Sequence, residues 1–266
     1  MSGVLGIIPA RIGSTRLSRK PLRPLLGVPL IAWVLDRARK IPILDRLLVA
    51  TDDETVAEIC RSWGGEVVMT RADHPSGTDR VEEAASTLGR GYDIVVNIQG
   101  DEPLVESGVV LEAVAQVTAG FDVGTCATPI GSESEFADPA VVKVVRASDG
   151  RGLYFSRAPI PFRRDEGGPD SGPPTRLKHV GIYAYRIAAL QRWVRLEPSP
   201  LEREERLEQL RALEAGLTIG VGLVDYAGVG VDTAEDLARL EQDLKRSGTR
   251  APTRPGGNQQ SIHERQ

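Results

Sequence analysis

Short apolar runs alternate with segments of helical periodicity through the first half of this chain, and that alternation is what most restricts its fold. Val4–Ile8, Leu47–Thr51, Glu66–Thr70 and Ile94–Ile98 read as strands. Between them, Leu30–Arg39, Thr55–Trp63 and Arg80–Leu88 carry helical patterns, with Pro29 suited to a first turn and Gly64-Gly65 to a stop. Strands that are apolar on both faces leave neither side for water. The βαβαβαβ order therefore predicts an α/β fold, a mainly parallel sheet with helices on both faces. Ligands of such sheets bind beyond the carboxyl ends of the strands, which directs attention to the polar segments 9–24, 70–80 and 99–104.

The order changes after residue 120. Val123–Pro129, Val141–Arg146, Leu153–Ser156 and Val180–Tyr185 follow as strands with no helix between them, a smaller antiparallel insertion over about residues 125–190. Arg163–Lys178, dense in proline, glycine and charge, reads as a mobile loop. Ser199-Pro200-Leu201-Glu202 marks a helix start, Leu217–Val224 a last strand, and Thr233 to about Lys245 a last helix. The expected organisation is a single domain over residues 1–246 and a disordered polar tail over 247–266.

Composition removes several function classes. A formal net charge of −4 argues against a general nucleic-acid binder, so any polyanion site must come from local clustering. Cys60 and Cys126 offer neither a disulfide framework nor metal-ligand spacing, and fit buried thiols of a reducing compartment. No apolar run approaches the roughly 20 residues of a membrane span, and no leader pattern opens the chain. The expectation is a soluble, cytoplasmic protein without membrane insertion.

Local clustering is indeed present. Between residues 11 and 23 stand Arg11, Arg16, Arg19, Lys20 and Arg23 with no acid among them, in a glycine-containing turn after the first strand. Backbone N–H groups and cations together suit a triphosphate, although neither a P-loop nor a dinucleotide fingerprint is present. The fourth strand ends in Gln99-Gly100-Asp101-Glu102-Pro103, where a carboxylate at the strand edge can hold Mg²⁺ or simply open a turn. Asp232 is either a second such carboxylate or a residue at a helix start. Thr233 and Asp236 already fit a capping box, which leaves Asp232 just outside it. His74–Arg80 reads as a turn with a helix cap. His179 opens a strand without a local sign of catalysis, and Glu208 falls nearly opposite Leu210 on a helical wheel, which describes a solvated face.

Together, Pro9–Leu22, His74–Arg80, Gln99–Pro103, Ser156-Arg157, His179–Arg186, Leu207–Arg211 and Gly230–Leu237 resemble one family, in its order, from Val4 to about Leu244. It is the 3-deoxy-manno-octulosonate (KDO) cytidylyltransferases, or CMP-KDO synthetases. The resemblance implies a Rossmann-like nucleotidyltransferase sheet and a reaction in which the anomeric hydroxyl of KDO attacks the α-phosphorus of CTP, expelling pyrophosphate. It implies catalytic roles for Arg16, Lys20 and Asp101. Nucleotide contacts fall to Pro9, Ala10, Arg11, Ser14, Thr15, Arg16, Lys20, Ser76, Gly77 and Gln99. Sugar contacts fall to Arg80, Gln99, Arg157, His179, Tyr183, Glu208 and Gln209, and Mg²⁺ to Asp101 and Asp232. No histidine or lysine is assigned as a general base. It further implies a homodimer formed through the antiparallel insertion, and supply of activated KDO for lipopolysaccharide. One departure stands out: Leu17-Ser18-Arg19-Lys20 replaces the family's usual Leu-Pro-Gly-Lys, and Arg19 tolerates a positive φ poorly, so a different turn or an extra phosphate-binding cation is expected. A sialic acid or 8-amino-KDO transferase, and a catalytically silent binding protein of the same fold, are the rival readings.

Overall fold

The computed structural model describes residues 3–13, 17–89, 91–164, 174–226, 228 and 230–255. The first half follows the expected alternation. Strand β1 (Gly3–Pro9) leads through a 3-10 turn at Lys20–Leu22 and a small hairpin, β2 (Pro24–Leu25) and β3 (Val28–Pro29), to helix α1 (Leu30–Ala38). Then come β4 (Arg46–Thr51), α2 (Glu54–Ser62), β5 (Glu66–Met69), α3 (Gly77–Thr87) and β6 (Tyr92–Asn97). Polar caps set the helix starts: the Asp53 carboxylate accepts from the Val56 N–H, and the Ser76 hydroxyl from those of Thr78 and Asp79. Gly64, at φ 74°, ends α2 as anticipated.

The second half runs α4 (Ser107–Thr118), β7 (Val123–Pro129), α5 (Glu133–Ala137), β8 (Lys143–Arg146), β9 (Gly152–Ser156), β10 (Leu177–Arg186), α6 (Ile187–Trp193), α7 (Pro200–Glu205), α8 (Gln209–Glu214), β11 (Ile219–Leu223) and α9 (Ala234–Arg246). Three points differ from the sequence reading. A short helix, α5, separates β7 from β8. Strand β10 already begins at Leu177, so Leu177 and Lys178 pair with β7 rather than closing a loop, while residues 165–173 lie outside the described residues. Helices α4 and α6 carry no clear sequence signal; α4 buries Val109, Val110, Ala113, Val114 and Val117, and its run of valines disguises the helical period.

The central sheet has the order β11-β7-β10-β6-β1-β4-β5. Only β10 runs against the others, antiparallel to both β6 and β7. The fold class is thus the expected one, a mainly parallel sheet with helices around it. The strands assigned to an insertion divide their duties: β7 and β10 extend the central sheet, while β8 and β9 branch from the start of β10 as a small antiparallel arm. Because β10 is reversed, its first residues share an edge with the carboxyl ends of its neighbours.

Strand β1 shows why both faces are apolar. Val4 and Ile8 pack with α1, α2 and α4, whereas Leu5 and Ile7 pack with α3, α6 and α8. Helix α4 lies so close to β7 that a Cβ at Gly124 would stand 1.9 Å from the Ala113 carbonyl oxygen, an approach only glycine permits. Leu17, Leu25, Leu30 and Trp33 join Val231, Leu240 and Leu244 in a third cluster, which fastens the segment after β1 to α9. Cys60 and Cys126 are free and buried, and burial pushes both thiols up to about 12. Of the segment expected as a tail, Ala251 packs on the third cluster and Arg254 lies over the Trp63 ring; residues 256–266 lie outside the described residues.

Candidate active site

The carboxyl ends of β1 and β6 meet backbone to backbone. A Cβ at Gly100 would lie 2.6 Å from the Pro9 carbonyl oxygen, so the glycine of Gln-Gly-Asp is what lets the two segments touch. From that junction Asp101 projects into a cleft of about 230 Å³, lined by Pro9, Ala10, Arg11, Lys20, Pro21, Gly77, Arg80, Gln99, Gly100, Asp101 and Asp232. Asp101 and Asp232 are 131 positions apart in sequence, yet the Val231 N–H donates to the Asp101 carbonyl at 2.9 Å and sets them side by side. The capping box of α9 is formed by Thr233 and Asp236, so the Asp232 side chain is not the cap.

Lys20 stands between these carboxylates. Its ammonium lies 2.6 Å from Asp101 Oδ2 and 2.8 Å from Asp232 Oδ1. The Lys20 side chain is only 13% exposed, whereas the two carboxylates are 31% and 43% exposed and so open to the cleft. Two carboxylates that share one cation form an all-oxygen donor set with room for phosphate and water oxygens, which fits Mg²⁺. Among the described residues no cluster of three or more metal-ligating side chains occurs. Glu102, the next residue, turns inward instead: it accepts from the Tyr226 hydroxyl, and burial raises its carboxyl to about 7.

The turn carrying Lys20 keeps the shape its sequence disfavours. Arg19 adopts φ 54°, ψ 37°, the left-handed conformation. The hydrophobic anchor of Leu17 and the 3-10 turn behind it hold the chain there against the cost to a residue with a Cβ.

A second cavity, about 180 Å³, adjoins the cleft and shares Gly77 and Gln99 with it. Its other lining residues are Thr78, Asn97, Tyr183, Tyr185, Trp193, Glu208 and Gln209. Strand β10 supplies an aromatic wall. Tyr183 stacks on Tyr185 at 5.9 Å, and Trp193 meets both rings edge-on. Glu208 is not on a solvated face. It is the N-cap residue of α8, with helical dihedrals, and its side chain packs inward to accept from Trp193 Nε1 at 3.0 Å. Burial raises its carboxyl above the usual range. Gln209 is buried beside it, and the Gln99 amide donates to the Gly181 carbonyl at the bulge in β10.

The remaining site candidates are placed as follows. Ser76 is chiefly a helix cap, 3.3 Å from Glu208, and the His74 ring pairs with Glu83. Arg80, although it borders the cleft, is buried and paired with Asp52 at 3.2 Å. Arg157 and His179 fall outside both linings. The Arg157 guanidinium donates to the Glu205 and Pro139 carbonyls. His179 is half-buried between Phe155 and Tyr183, and Thr125 lies 2.9 Å from its Nε2; desolvation lowers the imidazole to about 4. Ser14, Thr15 and Arg16 lie outside the described residues. The sequence reading misses Thr78, Asn97, Tyr185 and Trp193; the one local signal among them is a polar Asn97 inside the apolar run Ile94–Ile98.

Comparisons with known proteins place the chain in a family. A family model described as cytidylyltransferase matches residues 5–219. A 3-deoxy-manno-octulosonate cytidylyltransferase of Gemmatimonas aurantiaca is 50% identical over 238 residues, covering 89% of this chain and 92% of the relative. One from Syntrophobacter fumaroxidans is 51% identical over 237 residues, covering 88% and 94%. A solved CMP:2-keto-3-deoxy-manno-octonic acid synthetase complexed with CTP superposes with a TM-score of 0.84 at 39% identity, covering 92% of this chain and all of the other. A cytidylyltransferase from Leptospira borgpetersenii, 18% identical with a TM-score of 0.59, shares the fold. The chain belongs to the cytidylyltransferase family and, within it, to the 3-deoxy-manno-octulosonate cytidylyltransferases.

Proposed function

We propose that this protein transfers CMP from CTP to the anomeric hydroxyl of KDO, releasing pyrophosphate, with Lys20, Asp101 and Asp232 at the reacting end of the nucleotide. The observation that carries the assignment of residues is the convergence of both carboxylates on Lys20, in a cleft that opens into a sugar-sized polar and aromatic cavity. In the reaction the hydroxyl oxygen forms a bond to the α-phosphorus as the α–β phosphoanhydride breaks. The leaving pyrophosphate takes the bonding electrons and the hydroxyl proton passes to solvent. Transfer of this kind depends on placement and charge compensation rather than on a covalent intermediate.

Pro9, Ala10, Gly77 and Gly100 present backbone to the nucleotide, and Arg11 and Lys20 face its phosphates, with Ser14, Thr15 and Arg16 assigned to the same cradle by sequence. Asp101 and Asp232 would hold Mg²⁺, which supplies charge neutralisation at the phosphate oxygens when bound. Lys20, whose ammonium bridges those carboxylates, would hold the triphosphate beside them and compensate its charge. Gln99, Tyr183, Glu208 and Gln209 line the acceptor cavity, and Arg80, Arg157 and His179 flank it. A histidine held near 4 is too weak a base to take the hydroxyl proton at neutral pH, which supports a positioning role for His179.

The reading extends to a homodimer through the antiparallel arm, supported by the exposed apolar side chains of Leu153 and Phe162, and to provision of activated KDO for lipopolysaccharide in the cytoplasm. Among the described residues no helix is long and apolar enough to cross a membrane. The test is pyrophosphate release with CTP, UTP and GTP against KDO, 8-amino-KDO and sialic acid. Mg²⁺-dependent release with CTP and KDO is expected. No release with any sugar acid would remove the enzyme reading, and preference for sialic acid would move the acceptor assignment alone.

A further inference from the structure

We propose that Asn97 is a specificity-determining residue of the acceptor cavity, its carboxamide oxygen accepting a hydrogen bond from a hydroxyl of the bound sugar acid. The inference rests on the reading of that cavity as the sugar subsite. Strand β6 is otherwise apolar through Ile94, Val95 and Val96, and Ile98 continues the pattern. On the Asn97 side of the sheet, Asn97 pairs across to Tyr183 of β10 and lies beside Ile7 of β1, while Val95 pairs with Tyr185 and Leu5. Valine or leucine at 97 would continue this packed face without a polar cost.

Instead, an asparagine that is only 3% exposed stands there, and its Oδ1 has no hydrogen-bond partner. A buried acceptor left unpaired costs about 1–3 kcal/mol, and native proteins keep few of them. Asn97 lines the cavity, with this oxygen just beneath its surface, and a hydrogen bond with Tyr185 engages the side chain. Neighbouring polar groups are already engaged: Glu208 with Trp193 and Ser76, and the Gln99 amide with the Gly181 carbonyl. The unfilled valence at the floor of the cavity is therefore an acceptor, and it calls for a donor.

A carboxylate cannot donate, so the sugar acid enters with a hydroxyl toward Asn97 and its carboxylate toward the basic end of the cleft. This orientation directs the anomeric carbon, which bears the carboxylate, toward Lys20 and the α-phosphate. Asn97 thereby contributes to reading which hydroxyl-bearing carbon lies deepest, and discriminates against acceptors that lack a donor there.

The experiment compares the wild-type chain with Asn97→Ala and Asn97→Asp, measuring KM for KDO and for CTP by pyrophosphate release, with KDO and a panel of its monodeoxy analogues. For Asn97→Ala the expected result is a KM for KDO raised about tenfold or more, as when a buried hydrogen bond to substrate is lost, with the KM for CTP within twofold. One deoxy analogue should be disfavoured by the wild type by a similar factor and should lose that penalty in Asn97→Ala. Asn97→Asp, which keeps the acceptor, should retain the discrimination. If no analogue is penalised by the wild type, or the penalty persists unchanged in Asn97→Ala, the oxygen holds only a water and the proposal is overturned; where the alanine variant fails to fold, Asn97→Leu, which fills a similar volume without an acceptor, is read in its place. Absence of KDO-dependent release from the wild type would instead overturn the acceptor reading, and this proposal with it.

Discussion

The two halves of the candidate site are built on different principles. The cleft over β1 and β6 is assembled from backbone and exposed charge: a glycine that admits a carbonyl, a Val231–Asp101 backbone bond, and one ammonium between two carboxylates. The adjoining cavity is assembled from side chains buried by tertiary packing: stacked tyrosines, a tryptophan, a carboxyl raised by desolvation, and a buried asparagine. Charge in the first half is screened and cheap to move, which suits phosphates that arrive with counterions. Polar groups in the second half are costly to leave unmatched, which suits discrimination among neutral hydroxyls. On the proposed function the two halves divide the labour, with rate governed in the cleft and acceptor choice in the cavity.

The sharpest break of that comparison is Asp101→Asn. The variant keeps the backbone carbonyl that receives the Val231 N–H, so the junction with α9 persists. Loss of one carboxylate from the cation site is expected to lower kcat by roughly 10²–10³-fold, several kcal/mol of transition-state stabilisation, while the melting temperature moves by a few degrees at most. Near-normal turnover would show that the carboxylate pair serves structure and not rate.

His179, packed behind the cavity wall against Tyr183, should show the reverse, an effect on stability that depends on pH. His179 is held near 4 by desolvation, against an ordinary value of 6.5. The unfolded chain therefore takes up a proton before the folded one does. Stability contributed by the neutral ring is complete above pH 6.5 and is lost as pH falls toward 4. Discounted for the accessible edge of the ring, the loss is on the order of 2 kcal/mol. His179→Gln should flatten this part of the curve in urea titrations at pH 7 and pH 4.5. An unchanged slope would assign acid sensitivity to other groups.

Lys20→Met sharpens the comparison from the cleft side. With the ammonium gone, the two carboxylates repel each other and are open to a cation, so Mn²⁺ should bind the nucleotide-free protein about tenfold more tightly, the effect of roughly 1.4 kcal/mol of removed competition. Turnover should fall at the same time, because the phosphates lose a contact. Calorimetric titration with Mn²⁺ separates the two effects. Equal affinity in variant and wild type would mean that Lys20 does not compete for the site.

This division also explains what the sequence disclosed. The cleft was legible because its residues follow strand ends in short polar segments: Gln99-Gly100-Asp101 after β6, and the basic turn after β1. Even Asp232 could be set apart from the capping box by spacing, although its place beside Asp101 comes only with long-range pairing. The cavity was legible only through the family resemblance, which named Gln99, Tyr183, Glu208 and Gln209; local pattern missed it for the same physical reason that makes it selective. Tyr183 and Tyr185 acquire their meaning when β10 inserts, reversed, between β6 and β7, which no local period encodes. Glu208 is turned inward by Trp193 of another helix, a tertiary contact that no helical wheel records, and Asn97 is marked only by polarity in an apolar run. Helix α4 was hidden by its valines, which read equally as strand.

The smallest expected effect concerns the turn itself. Arg19 is exposed and held at φ 54°, where a Cβ costs about 1–2 kcal/mol, and glycine would relieve that at an entropic cost of roughly 0.5–1 kcal/mol in the unfolded chain. Arg19→Gly should therefore stabilise the protein by about 0.5–1 kcal/mol, a rise of a few degrees in melting temperature. The same variant separates strain from charge. If the arginine is retained because its cation aids phosphate binding, the KM for CTP should rise a few-fold as stability rises, and the rise should shrink at high salt. A flat KM would leave Arg19 as strain without a compensating contact. Either outcome bears on the cleft alone: a change in the KM for KDO larger than that for CTP would show that the two halves of the site do not act separately.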